Sequence, residues 1–102
     1  MGKAPKMNDW EKTGKILKAF ADKSRLQILE CIQKEVSNPG EIAKKLKRHR
    51  STIEKHLRVL LAANIVEKVP SLTKGGQLSI RYKIRDNASE LLVTIQKACR
   101  NF

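Results

Sequence analysis

Apolar residues recur along the first part of this chain at helical spacing and then, over a shorter stretch, at every second position. Trp10, Ile16, Leu17, Phe20 and Ala21 predict a first helix over residues 9–21, with Gly14 as its weakest member. Ile28, Leu29, Ile32 and Val36 form the stripe of a second helix over residues 23–35, which Asp22 can cap. Ser37-Asn38-Pro39-Gly40-Glu41 then stops one helix and starts another. Asn38 suits the cap, Pro39 the first helical position, and Glu41 the positive end of the helix dipole. The short third helix buries Ile42, Ala43 and Leu46.

Lys47-Arg48-His49-Arg50 carries no apolar residue and reads as a turn. Ser51-Thr52-Ile53-Glu54 has the form of a capping box, in which Ser51 caps and Glu54 reaches back, and it opens a fourth helix over residues 51–63. Asn64 can close that helix in a left-handed conformation. From here the period drops to two. Residues 65–69 read as a strand, and residues 78–84 alternate without a break, with Ile80, Tyr82 and Ile84 facing inward and Arg81 and Lys83 facing solvent. Residues 70–77, with Gly75-Gly76, connect them into a hairpin over 65–84. Asn87-Ala88-Ser89-Glu90 offers a cap for a last helix over 87–102, whose stripe is Leu91, Leu92, Ile95, Ala98, Cys99 and Phe102. Residues 1–8 are basic, contain Pro5 and show no period, so they read as a mobile arm. The expectation is one domain over 9–102, mainly α with a β-hairpin, in the order α-α-α-α-β-β-α.

Composition turns this outline toward a partner. The 102 residues suffice for one modest core. Lys and Arg number 22 against 10 Asp and Glu, a net charge of +12 that attracts polyanions, nucleic acid before an acidic membrane. A surface adapted only to heat would add Glu along with Lys. The aromatic residues are Trp10, Phe20, Tyr82 and Phe102, too few to stack the bases of a single strand, so duplex DNA is favoured. Cys31 and Cys99 lack CxxC spacing and are expected as reduced, buried thiols. No apolar run is long enough to span a membrane and the start resembles no signal peptide, so no membrane partner and a cytoplasmic, nucleoid-associated location are expected.

Position on the fourth helix decides how the charge is used. At 100° per residue, Ile53, Leu57, Leu60 and Leu61 share one side, and Ser51, Lys55, Arg58 and Ala62 the other. A helix of this kind fits a major groove, with Lys55 and Arg58 toward guanine edges or phosphates and Ser51 and Thr52 at its leading end. Lys44, Lys47, Arg48 and Arg50 gather before it. Glu54 either serves its cap or accepts from cytosine N4. His56 is expected wedged against the neighbouring helix, and His49 near phosphate. Third and fourth helices with a short basic turn make a helix-turn-helix, and the hairpin a wing that offers Lys74 and Arg81 to the minor groove or backbone. The stripes of the terminal helices, Trp10, Leu17, Phe20, Leu91, Leu92, Ile95 and Cys99, suit a homodimer on a palindromic operator with half-sites about 10–10.5 bp apart. A non-specific architectural DNA binder is the alternative, and the basic face argues against a protein-interaction module. No nucleophile–base pair and no phosphate-cradling glycine loop suggest an enzyme.

The run Phe20-Ala-Asp-Lys-Ser-Arg-Leu-Gln-Ile-Leu, then Glu41-Ile-Ala-Lys-Lys-Leu, Ser51-Thr-Ile-Glu-Lys-His-Leu-Arg-Val-Leu, Ile65-Val-Glu-Lys and Arg81-Tyr-Lys-Ile resembles the ArsR-type winged-helix transcription factors over residues 15–85. The resemblance implies the same element order, a homodimer built largely by the terminal helices, and repression by operator occupancy. The metal-sensing members carry cysteines on the helix matching residues 39–46, or a His/Asp/Glu cluster on the last helix. Here the third helix has no cysteine, and the last offers Asp86 and Glu90 without histidine, so neither metal nor cofactor is expected and an effector is unspecified.

Overall fold

The computed structural model describes residues 7–102. Helices α1 (Met7–Phe20), α2 (Lys23–Gln33), α3 (Pro39–Leu46) and α4 (Arg50–Ala62) precede strands β1 (Val66–Leu72) and β2 (Leu78–Ile84) and a last helix α5 (Asp86–Cys99). The order is the expected α-α-α-α-β-β-α, a winged helix-turn-helix. Helix α1 includes Met7 and Asn8, which were expected in an arm over 1–8; the rest of that arm, residues 1–6, lies outside the described residues.

Helix starts follow side-chain chemistry where a cap exists. The Asp22 carboxylate accepts from the Arg25 N–H at 3.1 Å, and Asn38 Oδ1 accepts from the N–H groups of Gly40 and Glu41 at 2.9 and 3.3 Å. Two expected caps are not used. Helix α4 begins at Arg50 with His49 in the cap position and no side-chain bond there, so Ser51 is already helical and forms no capping box. Helix α5 begins at Asp86, one residue early, and Asn87 Oδ1 instead accepts from the adjacent Ala88 N–H at 2.9 Å.

Three helices stop by one device. After α2, Val36 N–H donates to Cys31 C=O and Glu35 N–H to Ile32 C=O; after α3, Arg48 to Ala43 and Lys47 to Lys44; after α4, Ile65 to Leu60 and Asn64 to Leu61. Each is a Schellman closure, which needs one left-handed residue, and Glu35, Lys47 and Asn64 supply it at φ 67°, 55° and 58°. None is glycine. The second helix therefore ends at Gln33 rather than at 35.

The centre of the core is Ile28 and Leu29 of α2, Ile42 of α3, Ile53, Leu57 and Leu60 of α4, and Ile65 at the root of β1, all essentially without solvent contact. Each such side chain contributes about 1.5–3 kcal/mol by burial. Phe20, Tyr82, Ile84 and Leu92 close the periphery. The two strands pair antiparallel, Val66 opposite Ile84 through Leu72 opposite Leu78, so β1 runs three residues beyond its expected end and the loop shrinks to residues 73–77. Pro70 fits because β1 is an edge strand. On the other edge of β2, Tyr82 N–H donates to Ser37 C=O at 2.9 Å. The hairpin outruns the core: Ile80, expected inward, is partly exposed. The Cα radius of gyration of 15.6 Å, against about 13 Å for a compact domain of this length, reflects that overhang and the protruding terminal helices.

Candidate nucleic-acid interface

Because Ile53, Leu57 and Leu60 are consumed by the core, the opposite side of α4 is fixed as its solvent side. Ser51, Lys55, Arg58 and Ala62 are exposed there, and Thr52 and Glu54 are half-buried along its flank. The turn before α4 adds exposed Lys47, Arg48 and Arg50, and Lys44 projects from α3. Among the described residues no carboxylate pairs with Lys44, Lys47, Arg48, Lys55, Arg58 or Lys74. Arg50 does have a partner, Glu54 Oε2 at 3.3 Å, which gives Glu54 a role other than the expected cap. Exposed pairs of this kind are worth about 0–1 kcal/mol, so Arg50 exchanges a carboxylate for a phosphate at little cost. Lys47 holds its left-handed conformation without the freedom of glycine, keeping a cation at the tightest point of the turn.

The wing is locked to the helix-turn-helix by three contacts around the start of α3. Asn38 uses both ends of its amide: the oxygen caps α3, while Nδ2 donates to Ser79 Oγ at 3.0 Å and Ile80 C=O at 3.2 Å. Arg81 Nη1 donates to Ser37 Oγ and to Glu41 Oε1, each at 3.3 Å. The third is the Ser37–Tyr82 backbone bond. Arg81 therefore lies half-buried against α3, away from the wing tip, and Lys74 alone of the expected wing pair stands at the tip with Gly75 and Gly76. Gly76 is required there by its φ of 80°.

Arg25 carries no sequence signal of its structural role, since the residue three past a cap that marks a helix start is Glu or Gln. Its side chain, 14% exposed, donates from Nε to Ala19 C=O and from Nη2 to Lys18 C=O, satisfying the end of α1. Its Nη1 lies 3.3 Å from His56 Nδ1, so the histidine is wedged against α2 as expected and accepts there. One guanidinium thus ties α1, α2 and α4 together. The Arg25 N–H bond, with the nearby guanidinium charge, holds the Asp22 carboxyl below its ordinary range. Burial pushes the Tyr82 phenol up and the Cys31 thiol up, keeping both protonated.

The terminal stripes divide. Trp10, Leu17 and Cys99 are exposed, and Leu91 and Ile95 half-buried, whereas Phe20 and Leu92 are buried in the chain's own core, at 6% and 4% exposure. Those two support the helices from beneath and offer a partner little surface. Cys99, expected buried, is open to solvent in the single chain. Among the described residues no helix is long and apolar enough to cross a membrane.

With the geometry in place, the likenesses to known proteins are specific. Residues 20–69 match the model of a helix-turn-helix domain. An uncharacterized HTH-type transcriptional regulator of Methanocaldococcus jannaschii is 32% identical over 92 residues, covering 89% of this chain and 99% of that protein. The chain belongs to the HTH-type transcriptional regulators. Its fold is that of the homodimeric winged helix-turn-helix DNA-binding domain of a possible ArsR-family regulator from Mycobacterium bovis, with a TM-score of 0.78 at 20% identity over 98% of this chain and 91% of that one. NolR from Sinorhizobium fredii is similar too, with a TM-score of 0.75 at 26% identity over 96% of this regulator and 95% of its own chain.

Proposed function

We propose that this regulator binds a palindromic duplex operator as a homodimer and represses by occupying it. The observation that carries the reading is the outer side of α4, where Lys55 and Arg58 stand exposed and free of carboxylates, flanked by the cationic turn and by a wing fixed in register with it. Lys55 and Arg58 read base edges in the major groove, while Ser51 and Thr52 approach phosphate at the uncapped start of α4. Lys44, Lys47, Arg48 and Arg50 neutralise phosphates. Lys74 reaches the adjacent minor groove or backbone, and Arg81 positions the wing through α3. Glu54 orients Arg50 and remains within reach of a cytosine amine. Dimerisation covers Trp10, Leu17, Leu91, Ile95 and Cys99, with Phe20 and Leu92 behind them; that the mycobacterial domain is homodimeric supports a homodimer. No catalytic step is assigned.

In-vitro selection of duplexes followed by footprinting tests the reading. Two protected half-sites about one helical turn apart are expected. Equal affinity for selected and random duplexes, with steep salt dependence, would instead establish a non-specific architectural binder. Arg58→Ala is expected to lose about 1–3 kcal/mol of discrimination at one base position, whereas Lys74→Ala weakens all duplexes alike and lowers the salt slope by about 1.

A further inference from the structure

The outer half of the hairpin carries apolar side chains beyond the reach of the core. Leu72 and Leu78 face each other as the last pair before the turn, and they are 71% and 72% exposed. Pairs along a ribbon alternate faces, so Leu72–Leu78 shares a face with Pro70–Ile80, Lys68–Tyr82 and Val66–Ile84. The root of that face is buried, and its far end overhangs. Direction follows from the root: Val66, Tyr82 and Ile84 are buried in the same core as Ile53, Leu57 and Leu60 of α4. The leucines therefore lie on the face of the hairpin whose root packs on the core beside α4, beyond the part that the core covers.

The frame around them selects the occupant. Residues 68–84 include Lys68, Lys74, Arg81 and Lys83 and no carboxylate. An apolar pair at the end of a cationic ribbon, continuous with a cationic recognition helix, complements a polyanion that has an apolar interior reachable from a groove. Duplex DNA is such a partner: apolar side chains inserted from the minor groove separate stacked base pairs and bend the helix. Two leucines on neighbouring strands, with Cβ atoms about 4.5–5.5 Å apart, make a blunt wedge for a groove about 6 Å wide.

We propose that Leu72 and Leu78 form a wedge that enters the minor groove beside each recognition helix and unstacks one base step, so that the regulator bends its operator. This rests on the operator-binding reading above and adds to it a deformation activity and a specificity. Pyrimidine–purine steps unstack most easily, so the wing selects a TA or CA step that no side chain reads by hydrogen bonding.

The test is a selected operator carrying 2-aminopurine at the step under the wing, titrated with the 102-residue chain. Fluorescence is expected to rise several-fold on binding. With Leu72→Ser/Leu78→Ser, both positions being solvent-exposed, the duplex should still bind with an unchanged salt slope, while the fluorescence stays flat and the preference for TA or CA disappears. A circular-dichroism melt verifies that the variant is folded. A flat signal from the wild-type chain at a footprinted site overturns the wedge and leaves operator binding standing, as does an equal rise with the variant. Leucine-dependent binding to anionic phospholipid vesicles, with unaltered operator fluorescence, would assign the pair to a lipid surface and also overturn it. Failure to footprint any duplex would remove the operator reading itself.

Discussion

The stretch from α2 to the hairpin and the two terminal helices are built to different degrees of completion. In the first, polar contacts bridge the elements: Arg25 to His56, Asn38 to Ser79 and Ile80, and Arg81 to Ser37 and Glu41. In the second, α1 is tied down at its end by Ala19, Phe20 and the Arg25 guanidinium, and α5 is seated by Ala88 and Leu92 near its start. Trp10 at 66% exposure and Val93 at 43% are left in water. The difference teaches where one chain suffices. The surface proposed to read DNA is braced by contacts within one chain, whereas the terminal helices keep apolar area in water.

The largest effect expected is on the rigid side. Leu57→Ala, at a position with no solvent contact, should cost about 2–5 kcal/mol in urea unfolding, and retained stability would show that the core is looser than it looks. Next comes the open side: Trp10→Asp with Leu17→Asp should weaken dimerisation by about 2 kcal/mol or more, read by sedimentation equilibrium, with little change in the monomer's helical signal. An unaltered dimer would place the interface elsewhere. Asn38→Ala should cost about 1–2 kcal/mol of stability, because cap and latch are lost together. Asn38→Asp retains the cap and loosens only the wing, so comparing their melts with their operator affinities separates the two halves of one amide. The smallest effect has the opposite sign. Lys47→Gly should gain about 1 kcal/mol of stability by relieving the left-handed backbone, while reducing the salt slope of DNA binding by about 1.

The element order was legible because period and caps agree: Asp22, Asn38 and the alternation over 78–84 each signal the same break that the backbone makes. Boundaries slipped where a signal had a rival. Ser51 and Glu54 carry the letters of a capping box, yet the basic turn is one residue shorter and Glu54 is drawn to Arg50 instead. The end of α2 was hidden because Glu35, a residue that seldom goes left-handed, does so under the Val36–Cys31 closure. The cationic side of α4 was readable from a helical wheel alone. The latch was not, since Asn38 and Ser79 are 41 positions apart and only the fold brings them together. Phe20 and Leu92 belong to stripes that continue onto the surface, and periodicity does not mark where burial within the chain gives way to burial against another.

Asn38 has one more property, which lies in its neighbour. Asparagine side chains age by deamidation when the next residue's backbone nitrogen attacks the amide carbon and closes a succinimide ring. That would convert Asn38 to an acid, erase its two donations to the wing and leave the α3 cap in place. The next residue is Pro39, whose nitrogen carries no hydrogen and is already fully substituted. The proline that starts α3 thus also shields the amide that aligns the wing from the main route of its ageing.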